Sequence, residues 1–243
     1  MERKKVFKIK KSAVLGSLFL GPLFLGSLLL AVAYLSRVPP YQDEEVLYFQ
    51  NKLPALSNRS NEFTNQVKII KKIINLVINS TPPEGSETIY IQNRQPRTAQ
   101  NVVEAKSTIC YDRSWLIETL AEKQGYPARR VFLLANENSN SKPWIFSRNA
   151  ISHAMSEIYT EKGWVLVENQ EIWCGVINET AVSVADIFQN KKILEQIPLK
   201  NKNHILYKNF IYYRGLYSRH GQLFEPYVPL PEVRWKDLLW SFD

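Results

Sequence analysis

The sequence predicts an α+β domain in which helices pack on an antiparallel sheet. Residues 61–78 repeat apolar side chains at the spacing of an amphipathic helix. Residues 110–120 form a second run with helical periodicity. Two runs that alternate in polarity, residues 153–159 and 164–167, flank the loop 160–163 and indicate a hairpin. Helices followed by paired antiparallel strands are typical of the α+β class.

The chain opens with a basic segment, which is followed by an uncharged apolar segment. Residues 1–11 hold six Lys and Arg against one Glu, so they supply +5 of the net charge of +8. Residues 12–36 carry no charge, and about 20 apolar residues are enough to span a bilayer. The basic start predicts that the N-terminus stays in the cytoplasm. The alternative is a cleavable signal peptide, because Ala31-Val32-Ala33 resembles a cleavage site.

This pattern gives a predicted domain order and location. The parts are a cytoplasmic tail (1–11), a transmembrane helix or signal peptide (12–36), a linker (37–60), the main domain (61–180), and a C-terminal helix with an aromatic tail packed on that domain (181–243). The main domain is then extracytoplasmic, and periplasmic if the cell is Gram-negative. The membrane is therefore a predicted partner. Nucleic acid is not, because most of the positive charge belongs to the N-terminal segment.

Cys110 is the first candidate site residue, because it opens the second predicted helix. Gly125 and Pro127 are typical of the end of that helix. The thiolate rather than the thiol is the nucleophile of a cysteine, and the partial positive charge of a helix N-terminus favours the thiolate. The backbone N–H groups at the same position can stabilise an oxyanion. The position of Cys110 therefore predicts nucleophilic chemistry.

His153 and Glu168 are the candidate partners of this thiol. His153 opens the first strand of the predicted hairpin, and Glu168 follows the second strand. An imidazole can take the proton of a thiol and pass it to a leaving amine, while a third group orients the ring. A slip of one residue in the hairpin replaces Glu168 by Asn169, so the pattern leaves both residues open as the group that orients His153.

These motifs resemble the transglutaminase-like superfamily, the papain-related group with a Cys-His-Asp triad. The chain has Cys110 at a helix start, then Gly125-Tyr-Pro-Ala-Arg129, His153-Ala-Met-Ser-Glu157-Ile-Tyr159 and Gly163-Trp-Val-Leu-Val-Glu168, in the family's order. The resemblance implies a papain-like or transglutaminase-like core behind the N-terminal segment. It also implies a triad of Cys110 as nucleophile, His153 as general acid and base, and Glu168 as the group that orients His153.

The resemblance implies a thiol enzyme, a cysteine peptidase, amidase or acyltransferase that acts on an amide or peptide bond through a thioester. Its substrate is then a protein or peptide, and no cofactor is expected. The alternative is an inactive relative that serves as a binding or scaffold module of the cell envelope. Two departures favour this alternative: Ser107-Thr-Ile109 stands where the family has Gly before the cysteine, and Glu168 stands where it has Asp.

The second cysteine and the other histidines are predicted to lie outside the site. Cys174 falls in an apolar run and is expected to be a buried free thiol, although an exported protein can also pair it with Cys110. His204 and His220 stand in no ligand-like spacing. The sequence therefore predicts no metal site, and it assigns both histidines to structural or surface positions.

Overall fold

The computed structural model describes residues 25–31, 60–81, 99–104, 108–136, 150–217 and 232–239. The chain divides into two compact units, Met1–Arg37 and Val38–Asp243. In the first unit, residues 25–31 are helical. A search of the described residues finds no helix that is both long and apolar enough to cross a membrane. Most of the predicted transmembrane helix, residues 12–36, lies outside the described residues, and that assignment stays a prediction.

The second unit contains the other helices and the strands among the described residues. Its helices are α1 (Phe63–Ser80), α2 (Ala99–Glu104), α3 (Cys110–Lys123), α4 (Val184–Gln189) and α5 (Trp235–Leu239), with 3-10 turns at Lys191–Gln196 and Ile205–Tyr207. Its strands are β1 (Ala128–Asn136), β2 (Ala150–Thr160), β3 (Gly163–Val167), β4 (Val176–Ile177), β5 (Thr180–Ala181), β6 (Phe210–Arg214), β7 (Leu216–Tyr217) and β8 (Glu232–Val233). This is an α+β fold with an antiparallel sheet, as the sequence predicts.

The central sheet has the strand order β3-β2-β1-β6, and all its pairs are antiparallel. β2 and β3 form the predicted hairpin, in which Thr160 pairs with Gly163. β6 comes from the predicted aromatic tail and pairs with β1 along Val131–Ala135. The tail thus supplies an edge strand of the same sheet that carries His153.

Apolar side chains alternate between the two faces of this sheet, because successive residues of a strand point to opposite sides. On one face, Val165 and Val167 of β3 pack with the apolar sides of α1 and α3. On the other face, Leu166 packs with α4 and the 3-10 turns. Each fully buried Leu or Ile contributes about 1.5–3 kcal/mol. The sheet therefore lies between two apolar layers, and α3 is held against one of them.

Helix α3 has the ends that its sequence predicts. At its start, the carboxylate of Asp112 accepts a hydrogen bond from the N–H of Ile109 (3.3 Å). At its end, Gly125 takes a positive φ of 80°. The N–H of Tyr126 donates to the carbonyl of Ala121 (3.0 Å), and that of Gly125 to the carbonyl of Glu122 (2.9 Å). This pair of bonds is a Schellman motif, which fixes the helix length and places Cys110 in the first turn.

The sequence predicts one helix from Ser183 to Ile197, with Asp186 at the capping-box position after Ser183, but the α-helix in the structure is shorter. Ser183 and Asp186 form the predicted capping box, with the N–H of Ser183 donating to the Asp186 carboxylate (2.8 Å). The α-helix ends at Gln189, however, because Asn190 has an extended backbone and its side chain accepts a hydrogen bond from the N–H of Lys192 (3.1 Å). Asn190 therefore starts a separate 3-10 turn, since asparagine competes well for nearby backbone donors.

Candidate active site

Three chain segments bring the candidate residues together. Cys110 is the first residue of α3, His153 lies on β2, and Glu168 follows the last residue of β3. The Cys110 sulfur lies beside the His153 side chain, close enough to raise the pKa of the imidazole, and it accepts a hydrogen bond from the N–H of Ala154 (3.4 Å). The other end of the imidazole meets Glu168, with Nε2 at 3.1 Å from Oε1. Thiol, imidazole and carboxylate therefore form a continuous row.

The short length of β3 creates the space for this row. β3 pairs with β2 only as far as Val167 opposite Ser156, so β2 continues past its neighbour. The start of α3 occupies the gap beside that extension. The N–H of Ala154 donates to the Cys110 sulfur, and its carbonyl accepts from the hydroxyl of Ser114 (2.9 Å). The N–H and the carbonyl of Ala154 have no partner on β3, and they bond instead to Cys110 and Ser114 of α3.

Glu168, and not Asn169, faces the imidazole. The two carboxylate oxygens of Glu168 lie 3.1 and 3.3 Å from Nε2 of His153. Asn169 points elsewhere: its amide nitrogen donates to the carbonyl of Cys110 (3.0 Å) and to the hydroxyl of Ser114 (2.6 Å). It also donates to the carbonyl of Ala154. Of the two residues that the sequence left open, Glu168 is the one placed to orient the ring, and Asn169 ties α3 to β2.

Opposite charges reinforce the contact between His153 and Glu168. Burial by itself lowers the pKa of His153, but the neighbouring Glu168 carboxylate and the Cys110 sulfur outweigh it and raise the pKa well above 6.5. Burial likewise favours protonation of Glu168, but His153, and then His204, hold the pKa of this carboxyl far below 4.5. Both shifts favour a carboxylate next to an imidazolium. An imidazolium beside the sulfur is the partner that a thiolate needs.

Backbone groups fix the carboxylate of Glu168 as well. Its Oε1 accepts hydrogen bonds from the N–H groups of Asn169 (2.9 Å) and Gln170 (3.0 Å). Glu168 has no exposed surface, and its charge is therefore stabilised by these bonds and by His153 rather than by water. The side chain of Glu168 is longer than the Asp of the family pattern, but these hydrogen bonds fix the position of its carboxylate.

His204 is the residue that the sequence analysis missed. Its Nε2 lies 2.9 Å from Oε2 of Glu168, and its ring meets the ring of His153 edge to face, with the centroids 5.1 Å apart. The prediction that His204 stands apart from any cluster was wrong, because the chain returns to the site 36 residues beyond Glu168 without a local motif. His220 lies outside the described residues.

His153, Glu168 and His204 are also the group of side chains best suited to a metal among the described residues. Their candidate ligand atoms lie within 4.8 Å of one another. Two imidazoles and a carboxylate are a donor set that Zn²⁺ accepts. Here, however, Oε1 of Glu168 already accepts two backbone N–H groups, and each imidazole already contacts the carboxylate. The three side chains are thus held by contacts with one another and with the backbone.

Cys174 is separate from the site and is a free thiol, as is Cys110. It is 3% exposed, and burial raises its pKa to about 11. This agrees with the predicted buried free thiol and not with a disulfide to Cys110. A buried thiol with a raised pKa reacts slowly. The two cysteines of the chain therefore differ sharply in environment, which makes Cys174 an internal reference for the reactivity of Cys110.

A helix that presents a cysteine to a histidine on an antiparallel sheet defines the papain-like class of folds. Comparison with protein families narrows this class, since residues 56–169 match the transglutaminase-like superfamily. The match confirms the resemblance that was drawn from the motifs. No curated protein matches the chain significantly by sequence. The matched segment contains Cys110, His153 and Glu168 but not His204.

Proposed function

We propose that the protein is a membrane-anchored, extracytoplasmic thiol enzyme that acts on an amide or peptide bond of a protein or peptide. The observation that supports this most directly is the row of Cys110, His153 and Glu168, with an imidazole held between a thiol and a buried carboxylate. The transglutaminase-like match is consistent with the same chemistry. The membrane anchor and the location are supported by the basic and uncharged N-terminal segments of the sequence.

The reaction has two halves. In the first, the Cys110 thiolate attacks the carbonyl carbon and forms a C–S bond, the backbone N–H groups at the start of α3 stabilise the oxyanion, and the C–N bond breaks as the His153 imidazolium protonates the leaving amine. In the second, His153 removes a proton from water or from an acceptor amine, which attacks the thioester and releases the thiolate. Water gives hydrolysis, and an amine gives acyl transfer.

A second candidate function is a catalytically inactive binding or scaffold module of the cell envelope. The observations that favour it are Glu168 in place of the family's Asp, and Ser107-Thr-Ile109 in place of Gly before Cys110. Both candidates share the fold, so the reactivity of the thiol separates them. In an inactive module, Cys110 is not expected to be activated by His153 and is not expected to react faster than the buried Cys174.

The test is alkylation of the full-length chain in detergent with iodoacetamide at pH 7, followed by peptide mass spectrometry. An enzyme is expected to lose the Cys110 thiol much faster than the Cys174 thiol, and His153→Ala is expected to abolish the difference. Tyr159→Phe is the matched control, because Tyr159 lies on the same strand and is exposed. Labelling of Cys110 no faster than that of Cys174 would favour the inactive module.

The location has its own test. A reporter that is active only outside the cytoplasm, fused to the C-terminus, is expected to be active in cells, and the protein is expected to stay in the membrane fraction after an alkaline carbonate wash. Release by the wash would show that residues 12–36 are cleaved or do not span the bilayer. An inactive reporter would contradict the extracytoplasmic location.

A further inference from the structure

His204 approaches the site from a segment that the family match does not include. It precedes the 3-10 turn Ile205–Tyr207, where its Nδ1 accepts a hydrogen bond from the N–H of Leu206 (3.3 Å). An imidazole that accepts at Nδ1 carries its proton on Nε2 when it is neutral. The backbone therefore selects the tautomer of His204 that presents a donor on the opposite side of the ring.

That donor lies next to Oε2 of Glu168, the carboxylate oxygen that accepts neither of the two backbone N–H groups. Nε2 of His204 is 2.9 Å from Oε2, while Oε1 is held by the N–H groups of Asn169 and Gln170 and faces Nε2 of His153. The His204 contact is a close polar contact and not a hydrogen bond, because the N–H of Nε2 does not point at Oε2. His204 is 6% exposed and Glu168 is fully buried, so water does not take its place. The two oxygens are thus restrained from opposite sides.

The ring of His204 also restrains His153 directly. The two imidazoles meet edge to face, with an interplanar angle of 89°. Such a contact limits the rotation of the His153 ring about its own side-chain bond. Among the described residues, the ionisable groups found facing His153 are Cys110 from α3, Glu168 after β3 and His204 before the 3-10 turn.

From these contacts we infer that His204 is a positioning residue of the thiol site, which holds the Glu168 carboxylate and the His153 ring in the orientation that serves Cys110. The site is then a row of four side chains, Cys110–His153–Glu168–His204. This inference deepens the proposed function and rests on it. His204 touches neither the sulfur nor the substrate in this scheme and acts through Glu168.

Two variants of one residue separate positioning from simple packing. In His204→Gln the side-chain amide can keep an N–H donor near Oε2, whereas His204→Leu fills the space without a donor. The rate of Cys110 alkylation by iodoacetamide is measured from pH 5 to pH 10, with a chelator present, on the full-length chain in detergent. Circular dichroism of each variant shows whether the fold is intact.

His204→Leu is expected to slow Cys110 alkylation at neutral pH by roughly 10- to 100-fold, the size of effect typical of losing a close polar contact to a buried charge. The rise of the alkylation rate with pH is expected to move to higher pH, because a carboxylate that is no longer aligned holds the His153 imidazolium less well, and the imidazolium then stabilises the thiolate less. His204→Gln is expected to restore both the rate and the wild-type profile. A folded His204→Leu variant with the wild-type profile would overturn the inference, and so would wild-type labelling that requires added Zn²⁺.

A second measurement keeps this inference distinct from the proposed function. The protonation of His153 is followed by NMR of the chain labelled with ¹⁵N-histidine, which does not depend on thiol reactivity. His153 is expected to lose its proton at lower pH in His204→Leu than in the wild type. If the wild-type Cys110 is unreactive but this shift is seen, the enzymatic proposal fails while His204 still positions the pair. If Cys110 is reactive and the shift is absent, only the role of His204 fails.

Discussion

Asn169 offers the sharpest test of how the fold holds the thiol in place. Its side chain is fully buried, and its amide nitrogen lies 3.0 Å from the carbonyl oxygen of Cys110, 2.6 Å from the hydroxyl oxygen of Ser114 and 2.5 Å from the carbonyl oxygen of Ala154. One amide thus joins the first turn of α3 to β2. Removing it by Asn169→Ala leaves these acceptors without that donor.

The magnitude follows from the three contacts. A buried polar group that loses its partner costs about 1–3 kcal/mol. Part of this loss is offset, because the hydroxyl of Ser114 still donates to the carbonyl of Ala154 (2.9 Å). We therefore expect Asn169→Ala to lower the free energy of unfolding by about 2–3 kcal/mol. Asn169→Asp keeps the shape but turns a carboxylate oxygen toward the carbonyl oxygens of Cys110 and Ala154, and it is expected to cost about 3–5 kcal/mol, as an uncompensated buried charge does.

Urea unfolding of the full-length chain in detergent, followed by tryptophan fluorescence, measures these values. Asn79→Ala is the matched control, because its hydrogen bond to Asn75 is exposed, and it is expected to change stability by less than about 0.5 kcal/mol. Alkylation of Cys110 is expected to slow in both Asn169 variants. The reasoning fails if Asn169→Ala is as stable as the control, or if Asn169→Asp is no less stable than Asn169→Ala.

Two further predictions concern buried charges. Glu168→Gln is expected to lower the free energy of unfolding most between about pH 4.5 and 6.5. The lowered pKa of Glu168 gives stability that is present above about 4.5 and lost in acid, and the raised pKa of His153 gives stability that is present below about 6.5 and lost as the pH rises through that raised value. Unfolding curves measured across this pH range check the prediction, and a difference that does not change with pH would contradict it. Glu118→Gln is expected to cost about 3–5 kcal/mol, because the carboxylate pairs with the fully buried Arg130 (2.7 Å) and also with Arg234; thermal unfolding that stays near the wild-type midpoint would refute it.

The parts of the fold that the sequence predicts are those with strong local signals. Gly125 ends α3 where expected, since glycine adopts the required positive φ of 80° without strain. The hairpin of β2 and β3 also forms as predicted, because its alternation has a period of two and its loop is short. The break at Asn190 was missed because it depends on a single side chain that caps the following turn.

The parts of the site that the sequence did not predict depend on register and on distant contacts. Glu168 and Asn169 are adjacent, and only the pairing of Ser156 with Val167 decides which of them faces His153. His204 is brought to Glu168 because the 3-10 turn Ile205–Tyr207 packs against one face of the sheet. The spacing between His204 and Glu168 in the sequence does not predict this contact. The one feature that pointed to a further partner was Glu168 itself, because a buried carboxylate has two oxygens and needs more than one polar neighbour.

The pH at which the His153 ring loses its proton is the direct measure of whether Glu168 and Cys110 act on this imidazole. The chain has three histidines, so NMR of the full-length protein labelled with ¹⁵N-histidine, with His153→Gln to assign the signal, can follow this ring alone. Because Glu168 and the Cys110 sulfur raise its pKa well above 6.5, the His153 ring is expected to lose its proton at clearly higher pH than an ordinary imidazole, and Glu168→Gln is expected to lower that pH. A His153 ring that titrates near its ordinary pKa of about 6.5, with or without the Glu168 carboxylate, would contradict the account.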